Sequence, residues 1–322
     1  MSAAAPRVLA LSGGVGGAKL ARGLARVLPP MSLTVICNSG DDFEHLGLRI
    51  CPDLDSVVYA LAGLADRERG WGRAGESWEF MGALGALGAP TWFALGDRDL
   101  ALHVWRNERL RRGDLLTDIT RDLTRQLGLQ QRVLPMCDTP APTRLLTDEG
   151  ELDFQDYFVR RRAQPRVTGL QFPNSAQAEP PASTRHCAEV SLDAIVLCPS
   201  NPYLSIDPIL ALPYWRNRLA TADCPVVAVS PIVGGRALKG CAAKMLQEFG
   251  HEVSALSIAR HYADLLDGMV IDTQDAALCP AIEALGIRCC TAQSVMHDDA
   301  DRDALAHSTL QFAQRLSGAR ST

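Results

Sequence analysis

Short apolar segments recur along this chain, and most of them are separated by stretches with a helical pattern. Six of these segments have the length of a β-strand: residues 8–11, 33–37, 194–198, 226–229, 269–271 and 287–290. Strands that alternate with helices are typical of a parallel sheet that is covered by helices. The sequence therefore predicts an α/β fold in which a Rossmann-like parallel sheet is sandwiched by helices.

The length and composition of the chain are sufficient for one large domain. It has 322 residues, of which 47% are hydrophobic, so a single domain over residues 1–322 can bury a sizeable core. Residues 56–135 are rich in Trp, Arg and Leu and lack the runs of parallel strands, which predicts a mainly helical insertion that caps the cleft. Residues 140–190 are predicted to form an irregular segment with strand-like stretches.

A glycine-rich turn follows the first apolar segment and leads into a helical pattern. Glycine lets the backbone turn tightly and approach an anion, and the first N–H groups of the next helix point at that anion. The turn matches neither the Walker A pattern nor the dinucleotide pattern, because Lys19 follows Ala18 and occupies the place of the third glycine. A phosphate site and a tight turn without a ligand both remain possible. The residues of the candidate phosphate site are Gly13, Gly14, Val15, Gly16, Gly17 and Lys19.

Polar or Gly/Pro-rich segments also follow the next three strand-like segments, at residues 38–42, 199–202 and 230–235. The carboxyl ends of parallel strands meet at one edge of a sheet, where ligands bind in open α/β folds. We therefore expect these segments and the glycine-rich turn to converge on one cleft. Asn201 suits contact with a base or a phosphate, and an Asx turn is an equal alternative.

The chain contains three pairs of aspartates: Asp41 with Asp42, directly after the second strand-like segment, Asp53 with Asp55, and Asp97 with Asp99. Carboxylates beside a phosphate site are the ligands that Mg²⁺ prefers, and the ion can bridge them to substrate phosphates. Any single aspartate could instead cap a helix. The grouping favours a Mg²⁺ site with Asp41, Asp42 and Asp55 as ligands, and it makes Asp55, Asp41 and Asp97 candidate catalytic residues.

Charge and composition exclude several other classes of protein. The net charge of −5 and the interspersed charges argue against nucleic acid or an anionic membrane as the main partner. No run of about 18 apolar residues and no signal-peptide core are present, so we expect a cytoplasmic protein. Ten cysteines occur without any Cys-x-x-Cys pair, which favours free thiols in a reducing compartment. The histidines show no ligand spacing, and no nucleophilic triad can be inferred.

Seven motifs occur in the order that is typical of the 2-phospho-L-lactate transferase family of coenzyme F-420 biosynthesis, and the chain resembles that family from Val8 to about Gln314. Cys198 stands where the family has glycine before the sixth motif. The motifs are Ser12–Leu20, Pro52–Asp55, Leu95–Asp99, Leu134–Met136, Phe154–Asp156, Pro199–Pro202 and Val227–Ile232.

The resemblance implies a transferase with a guanylated donor and a deazaflavin acceptor. In this reaction the terminal hydroxyl of the 5-deazaflavin Fo attacks the phosphorus next to a three-carbon acid, and GMP leaves. The acid could be 2-phospholactate, phosphoenolpyruvate or 3-phosphoglycerate, and no motif identifies it. Mg²⁺ is the implied cofactor, and a homodimer is the default expectation for the assembly.

The resemblance also assigns roles to residues. Asp55 falls on the family's deazaflavin contact, and a second, basic contact falls on Ala94; Asp97 and Asp99 complete the proposed acceptor site. A nucleotide-sugar-binding regulatory protein and a nicotinamide-dependent oxidoreductase are the alternatives to the transferase. Beyond the glycine-rich turn, the residues implied to bind the guanosine diphosphate group are Asn38, Ser200, Asn201, Pro202, Ser230 and Pro231.

Overall fold

The computed structural model describes residues 5–320, and within that range the chain forms fourteen strands and twelve α-helices. The strands are β1 (Val8–Ser12), β2 (Leu33–Cys37), β3 (Phe43–His45), β4 (Leu48–Ile50), β5 (Arg132–Pro135), β6 (Arg144–Thr147), β7 (Gly150–Asp153), β8 (Val167–Gln171), β9 (Ala194–Leu197), β10 (Val226–Val229), β11 (Ile232–Val233), β12 (Arg236–Ala237), β13 (Gly268–Asp272) and β14 (Arg288–Ala292).

The helices alternate with the longer strands along most of the chain. Short π-helical turns occur at Asp156–Arg160 and Pro202–Ile206, and a 3₁₀-helix at Thr273–Leu278. The α-helices are α1 (Gly14–Val27), α2 (Pro52–Ala62), α3 (Glu79–Ala86), α4 (Asp97–Arg111), α5 (Leu116–Gln126), α6 (Ala182–Glu189), α7 (Asp207–Leu210), α8 (Pro213–Ala220), α9 (Ala242–Glu248), α10 (Ala255–His261), α11 (Cys279–Glu283) and α12 (Asp299–Arg320).

Seven strands form one parallel sheet, in the order β14-β13-β10-β9-β1-β2-β5. Strand β1 lies inside the sheet, with Val8 opposite Leu33 of β2 on one side and opposite Ala194 of β9 on the other. The chain builds outward from β1 to β2 and β5, and then crosses to the other side of β1 to continue with β9. The order reverses between β1 and β9, and open α/β sheets bind ligands outside the carboxyl ends of strands at such a switch point.

The sheet is buried on both faces, because successive side chains of a strand point to opposite sides. Leu9 and Leu11 belong to one apolar core, whereas Val8 and Ala10 belong to the other. Helices α1, α2 and α12 contribute to the second core, and helices α7 to α11 pack on the first. Apolar residues at consecutive positions are thus explained by two layers of helices, as expected for a parallel sheet.

The α/β prediction is confirmed, and all six predicted strands occur in the sheet. The seventh strand, β5, was not predicted and lies at the end of the stretch 56–135 that was interpreted as a helical insertion; helices α2 to α5 occupy most of that stretch. Strand β5 is short, and it tolerates Pro135 because it is an edge strand. The segment 140–190 contains a small antiparallel sheet of order β7-β6-β8 and helix α6.

Two further observations concern helices and cysteines. Among the residues that the structure describes, no helix is both long enough and apolar enough to cross a membrane. All ten cysteines are free thiols, and six of them are buried.

Candidate functional site

The glycine-rich turn places the start of α1 against a carboxylate and against the loop after β9. The backbone N–H of Gly14 donates to Oδ1 of Asp53 at 2.5 Å, and Gly14 has a φ of 62°, which favours glycine. A Cβ at Gly16 would lie 2.5 Å from the carbonyl oxygen of Pro199. The glycines therefore allow a close approach of α1 to protein groups, and the first helical N–H already has an anionic partner.

The loops after β9 and β10 are held by their own side chains. The hydroxyl of Ser200 accepts from the N–H of Gly13 at 3.1 Å and donates to its carbonyl at 2.8 Å. The side-chain oxygen of Asn201 accepts from the N–H groups of the two residues after Pro202, at 3.0 and 3.3 Å, which is the Asx-turn alternative. The hydroxyl of Ser230 donates a hydrogen bond to the carbonyl of Ile232 and accepts one from the N–H of Ile232, which encloses Pro231 in a turn.

Asn38 connects the loop after β2 with both neighbouring elements. It is fully buried, and its side-chain amide donates to Oδ2 of Asp53 at 2.9 Å and to the carbonyl of Leu204 at 3.1 Å. Its side-chain oxygen accepts from the N–H of Gly40 at 2.8 Å. The side chain of Asn38 thus orients Asp53 and fixes the loop that carries Asp41.

A pair of buried carboxylates, Asp41 and Asp53, lies at the centre of this arrangement. Burial raises the pKa of Asp41 well above its usual range, and the neighbouring Asp53 and Asp42 carboxylates raise it further. Burial also raises the pKa of Asp53 to about 6, although the Asn38 amide and the Gly14 N–H partly oppose this. Two such carboxylates are stable together only with a proton or a cation between them.

Asp42 has a different set of partners from Asp41. Its Oδ2 accepts from Arg49 at 2.9 Å, and from the thiol of Cys51 at 3.1 Å. Burial raises the pKa of Asp42, and Arg49 opposes that shift. The charge of Asp42 is therefore already balanced by a guanidinium, unlike the charges of Asp41 and Asp53.

The donor set formed by these aspartates fits a hard divalent cation. Within the described part of the chain, Oδ1 of Asp41 and Oδ1 of Asp42 are buried and have no hydrogen-bond partner. Carboxylate oxygens are the ligands that Mg²⁺ prefers, and a bound cation would compensate the excess negative charge at Asp41 and Asp53. The carboxylates of Asp41, Asp42 and Asp53 together form a candidate metal site.

A second buried charged cluster joins α2 to α4. Asp55 forms a two-point ion pair with Arg106, and both residues are almost fully buried. His103 lies beside them, with Nε2 at 3.4 Å from Asp99, and the hydroxyl of Tyr59 donates to Asp99 at 2.6 Å. Burial raises the pKa of Asp55, and the Arg106 guanidinium opposes that shift.

Helix geometry separates Asp53 from Asp55. Residues two apart on a helix point in nearly opposite directions, so one aspartate of α2 faces α1 and the other faces α4. The predicted metal set of Asp41, Asp42 and Asp55 is therefore split, because Asp55 contacts Arg106 whereas Asp53 contacts the loop of Asp41. Asp55, Asp99 and His103 also lie close enough to share an ion, but the guanidinium of Arg106 disfavours a cation there.

The remaining predicted residues have other surroundings. Asp97 accepts from the hydroxyl of Ser77 and from the first two N–H groups of α3, so its carboxylate caps that helix. Ala94 follows Trp92 and Phe93, which pack with Phe43 and His45 as a cluster of rings. Val15 and Lys19 lie on the flank of α1 and line a cavity, and Nζ of Lys19 donates to the carbonyl of Met296 at 2.8 Å.

The candidate site also contains residues that the sequence interpretation did not select. Asp53 was recognised as one of a pair but was not chosen as a ligand, although helical periodicity separates it from Asp55. Arg106 gave no signal, because it is one of four arginines among the nine charged or polar positions of α4, and nothing in the sequence marks it as buried. Its partner lies on another helix, fifty-one positions earlier in the chain.

The fold and the site together define a Rossmann-like α/β protein with a buried carboxylate pair at the switch point of its sheet. Residues 8–311 match the family model described as 2-phospho-L-lactate transferase, and the chain belongs to this family of transferases. The match spans the whole sheet, and it includes every loop described above.

Individual relatives agree with this family. The phosphoenolpyruvate transferase of Streptomyces griseus is 40% identical over 316 residues, which cover 96% of this chain and 99% of that protein. The 2-phospho-L-lactate transferase of Methanosarcina mazei is 36% identical over 304 residues, with coverages of 94% and 99%. A crystal structure of a UPF0052 family member from Bacillus halodurans has a TM-score of 0.64 at 14% identity and covers 96% of this chain and 100% of that one, which shows a shared fold.

Proposed function

We propose that this transferase moves a phosphorylated three-carbon acid from a guanosine diphosphate-activated donor to the terminal hydroxyl of the 5-deazaflavin Fo, with release of GMP. The main support is the unneutralised pair Asp41 and Asp53, which lies where α1 begins at the switch point of the sheet. Phosphoryl transfer needs positive charge beside the phosphates, and this carboxylate pair could hold the cation that supplies it. Membership of the family supplies the reaction class.

The transferred acid is proposed to be phosphoenolpyruvate. The Streptomyces griseus relative is named phosphoenolpyruvate transferase and is 40% identical, whereas the archaeal 2-phospho-L-lactate transferase is 36% identical. The difference is small, and it favours the unsaturated acid over phospholactate. Phosphoglycerate is the third donor that a comparison of substrates must include.

The bonding changes are those of an in-line displacement. The acceptor hydroxyl forms a new O–P bond at the phosphorus that carries the acid, the bond from this phosphorus to the bridging oxygen breaks, and GMP leaves with that oxygen. The proton of the hydroxyl passes to a base. Positioning and charge compensation supply most of the catalysis in such reactions.

Asp41 and Asp53 are proposed to hold Mg²⁺, with Asp42 beside them. When bound, Mg²⁺ would neutralise charge on the diphosphate of the donor. The raised pKa values of both aspartates are consistent with this role, because a cation replaces the proton that burial otherwise favours. Asn38 keeps Asp53 in the orientation that the site requires.

Asp55 is proposed as the contact to the acceptor and as the acceptor of its proton. Arg106 fixes the carboxylate of Asp55 with two hydrogen bonds, which leaves lone pairs on both oxygens for a substrate hydroxyl. Burial raises the pKa of Asp55 above its usual range, which makes its carboxylate a stronger base. The rings of Phe43, Trp92 and Phe93 beside Ala94 offer apolar surface for a planar acceptor.

The test is a transfer assay with the purified full chain, Fo, Mg²⁺ and each guanylated acid in turn. Mass analysis of the deazaflavin product identifies the acid, and we expect the enolpyruvyl product to form fastest. An absence of transfer from all three donors would overturn the proposed function. Faster transfer of phospholactate would overturn only the choice of acid. The homodimer and the cytoplasmic location stay predictions.

A further inference from the structure

A cavity of about 120 Å³ lies on the flank of α1, beside the candidate metal site but not part of it. Val15 and Lys19 of α1 line it, together with Ser56 of α2 and the exposed ring of Trp71. Ser56 comes one helical turn after Asp53, and Val15 follows the glycine that bonds to Asp53. The cavity is therefore next to the carboxylate pair along the faces of two adjacent helices.

The lining of this cavity carries more positive than negative charge. Three of its guanidiniums, those of Arg22, Arg67 and Arg302, share the single carboxylate of Asp299. Among the described residues that line the cavity, the one carboxylate is Asp66, which is paired with Arg69.

The two lysines of the lining bond to backbone carbonyls, Lys19 to Met296 at 2.8 Å and Lys239 to Gly70 at 3.4 Å. Neither contact neutralises a charge. Burial, and then the positive charges of Lys239 and Arg302, lower the pKa of Lys19. Cations gathered in this way repel one another, and a bound anion would relieve that repulsion.

One donor in the cavity wall has no partner within the described residues. Arg302 is 6% exposed, and its Nε is buried without a hydrogen-bond acceptor. A buried N–H without an acceptor costs free energy, and a buried guanidinium is suited to carboxylates and phosphates. Arg302 therefore adds to the cavity wall a buried positive charge that shares Asp299 with two other guanidiniums.

We infer that this cavity binds the carboxylate of the three-carbon acid in the donor, with Lys19 and Lys239 as its main cationic contacts. The inference rests on the proposed function and deepens it, because it assigns Lys19 to the acid and not to the nucleotide. A small carboxylate suits a cavity of this size, and the diphosphate of the same donor would lie toward Asp53. Lys19 and Lys239 would then distinguish a donor that carries the acid from plain GDP.

The test uses Lys19→Met and Lys239→Met in the full chain, with Lys244→Met as the control. Lys244 is the third lysine of the chain, and it pairs with Glu248 outside this cavity. We expect the KM for the guanylated acid to rise about ten-fold or more in both variants, as for a lost charge-assisted hydrogen bond. The Kd for GDP, measured by calorimetry, should change by less than about two-fold, and Lys244→Met should match the wild type.

If the two lysine variants bind GDP and the guanylated donor more weakly to the same extent, the inference is overturned, because the lysines would then contact the diphosphate. Unchanged KM in both variants would overturn it as well.

Binding of free phosphoenolpyruvate, measured by calorimetry, separates this test from the proposed function. If the wild type binds it and Lys239→Met does not, the cavity is an acid site whether or not transfer occurs; if the wild type does not bind it, the inference fails. Lys239 is exposed, so its substitution leaves the fold intact even if Lys19→Met does not fold.

Discussion

At the scale of residues, the charges of α2 are divided between two buried environments. Among the described residues Asp53 faces another carboxylate and has no cationic partner, whereas Asp55 is paired with Arg106. Burial of an unpaired charge is unfavourable, so Asp53 depends on a proton or a cation. The same helix thus carries one aspartate that a guanidinium of the protein neutralises and one whose ionisation needs a ligand.

Mg²⁺ is expected to raise the melting temperature of the protein at pH 7.5, and this effect should weaken as the pH falls through about 6. The pKa of Asp53 is about 6, so protons compete with the metal below that pH. Differential scanning calorimetry at several pH values measures the effect. Asp53→Asn should abolish it, while Asp223→Asn, at an exposed position, should keep it. A Mg²⁺ effect that persists in Asp53→Asn would place the metal elsewhere.

In chelator, the stability of the wild type should fall as the pH rises from about 4 to above 6. The pKa of Asp53 is higher in the folded state than in the unfolded state, so the folded protein binds the extra proton in this window. Deprotonation then disfavours folding. Asp53→Asn removes that part of the pH dependence, and denaturant titrations at both ends of the window compare the two proteins. If the unfolding free energies of the wild type and of Asp53→Asn change with pH in the same way, the pKa of Asp53 is not raised.

At the scale of elements, a buried ion pair fastens α2 to α4. Arg106→Met leaves the Asp55 carboxylate buried without its cation, which costs about 3–5 kcal/mol. Arg112→Met, which removes an exposed pair with Glu108 on the same helix, should have a small effect. Chemical denaturation measures both changes. The double variant Asp55→Leu/Arg106→Met should recover part of the loss, and a failure to recover would mean that Arg106 stabilises through other contacts.

The contact of α1 with the loop after β9 allows a second prediction for elements. Gly16→Ala places a Cβ 2.5 Å from the carbonyl oxygen of Pro199, so α1 must move away from that loop. We expect a lower melting temperature and weaker donor binding. Gly82→Ala, in α3 with open space around it, should be neutral or slightly stabilising. If the two variants melt alike, the close approach at Gly16 is not a constraint.

The sequence predicted those elements whose signals are local. The apolar segments of β1, β2, β9, β10, β13 and β14 are long enough to be recognised, whereas β5 has two apolar residues between Arg132 and Pro135. The sequence also indicated which loops would meet, since parallel strands end at one edge. It could not indicate that Asp55 faces Arg106, because that pairing depends on how α4 packs on α2.

At the scale of the whole molecule, one continuous sheet carries the loops that are proposed to bind the donor. The glycine-rich turn and the loop after β9 lie on adjacent strands, and the loop of Asp41 follows the strand on the other side of β1. The groups proposed to bind the donor therefore follow strands whose positions are fixed by backbone pairing. The proposed acceptor contacts belong to α2, α4 and the β3–β4 hairpin, which lie outside this sheet.

Strand β1 also determines when the molecule can become complete. Its neighbour β2 is synthesised soon after it, but its other neighbour, β9, is synthesised only after more than half of the chain. Until then one edge of β1 has unpaired N–H and C=O groups, and such edges are sites of aggregation. Pairing between strands so distant in sequence is slow. Nascent chains that are arrested before β9 should therefore bind chaperones strongly, and those arrested after β14 should not.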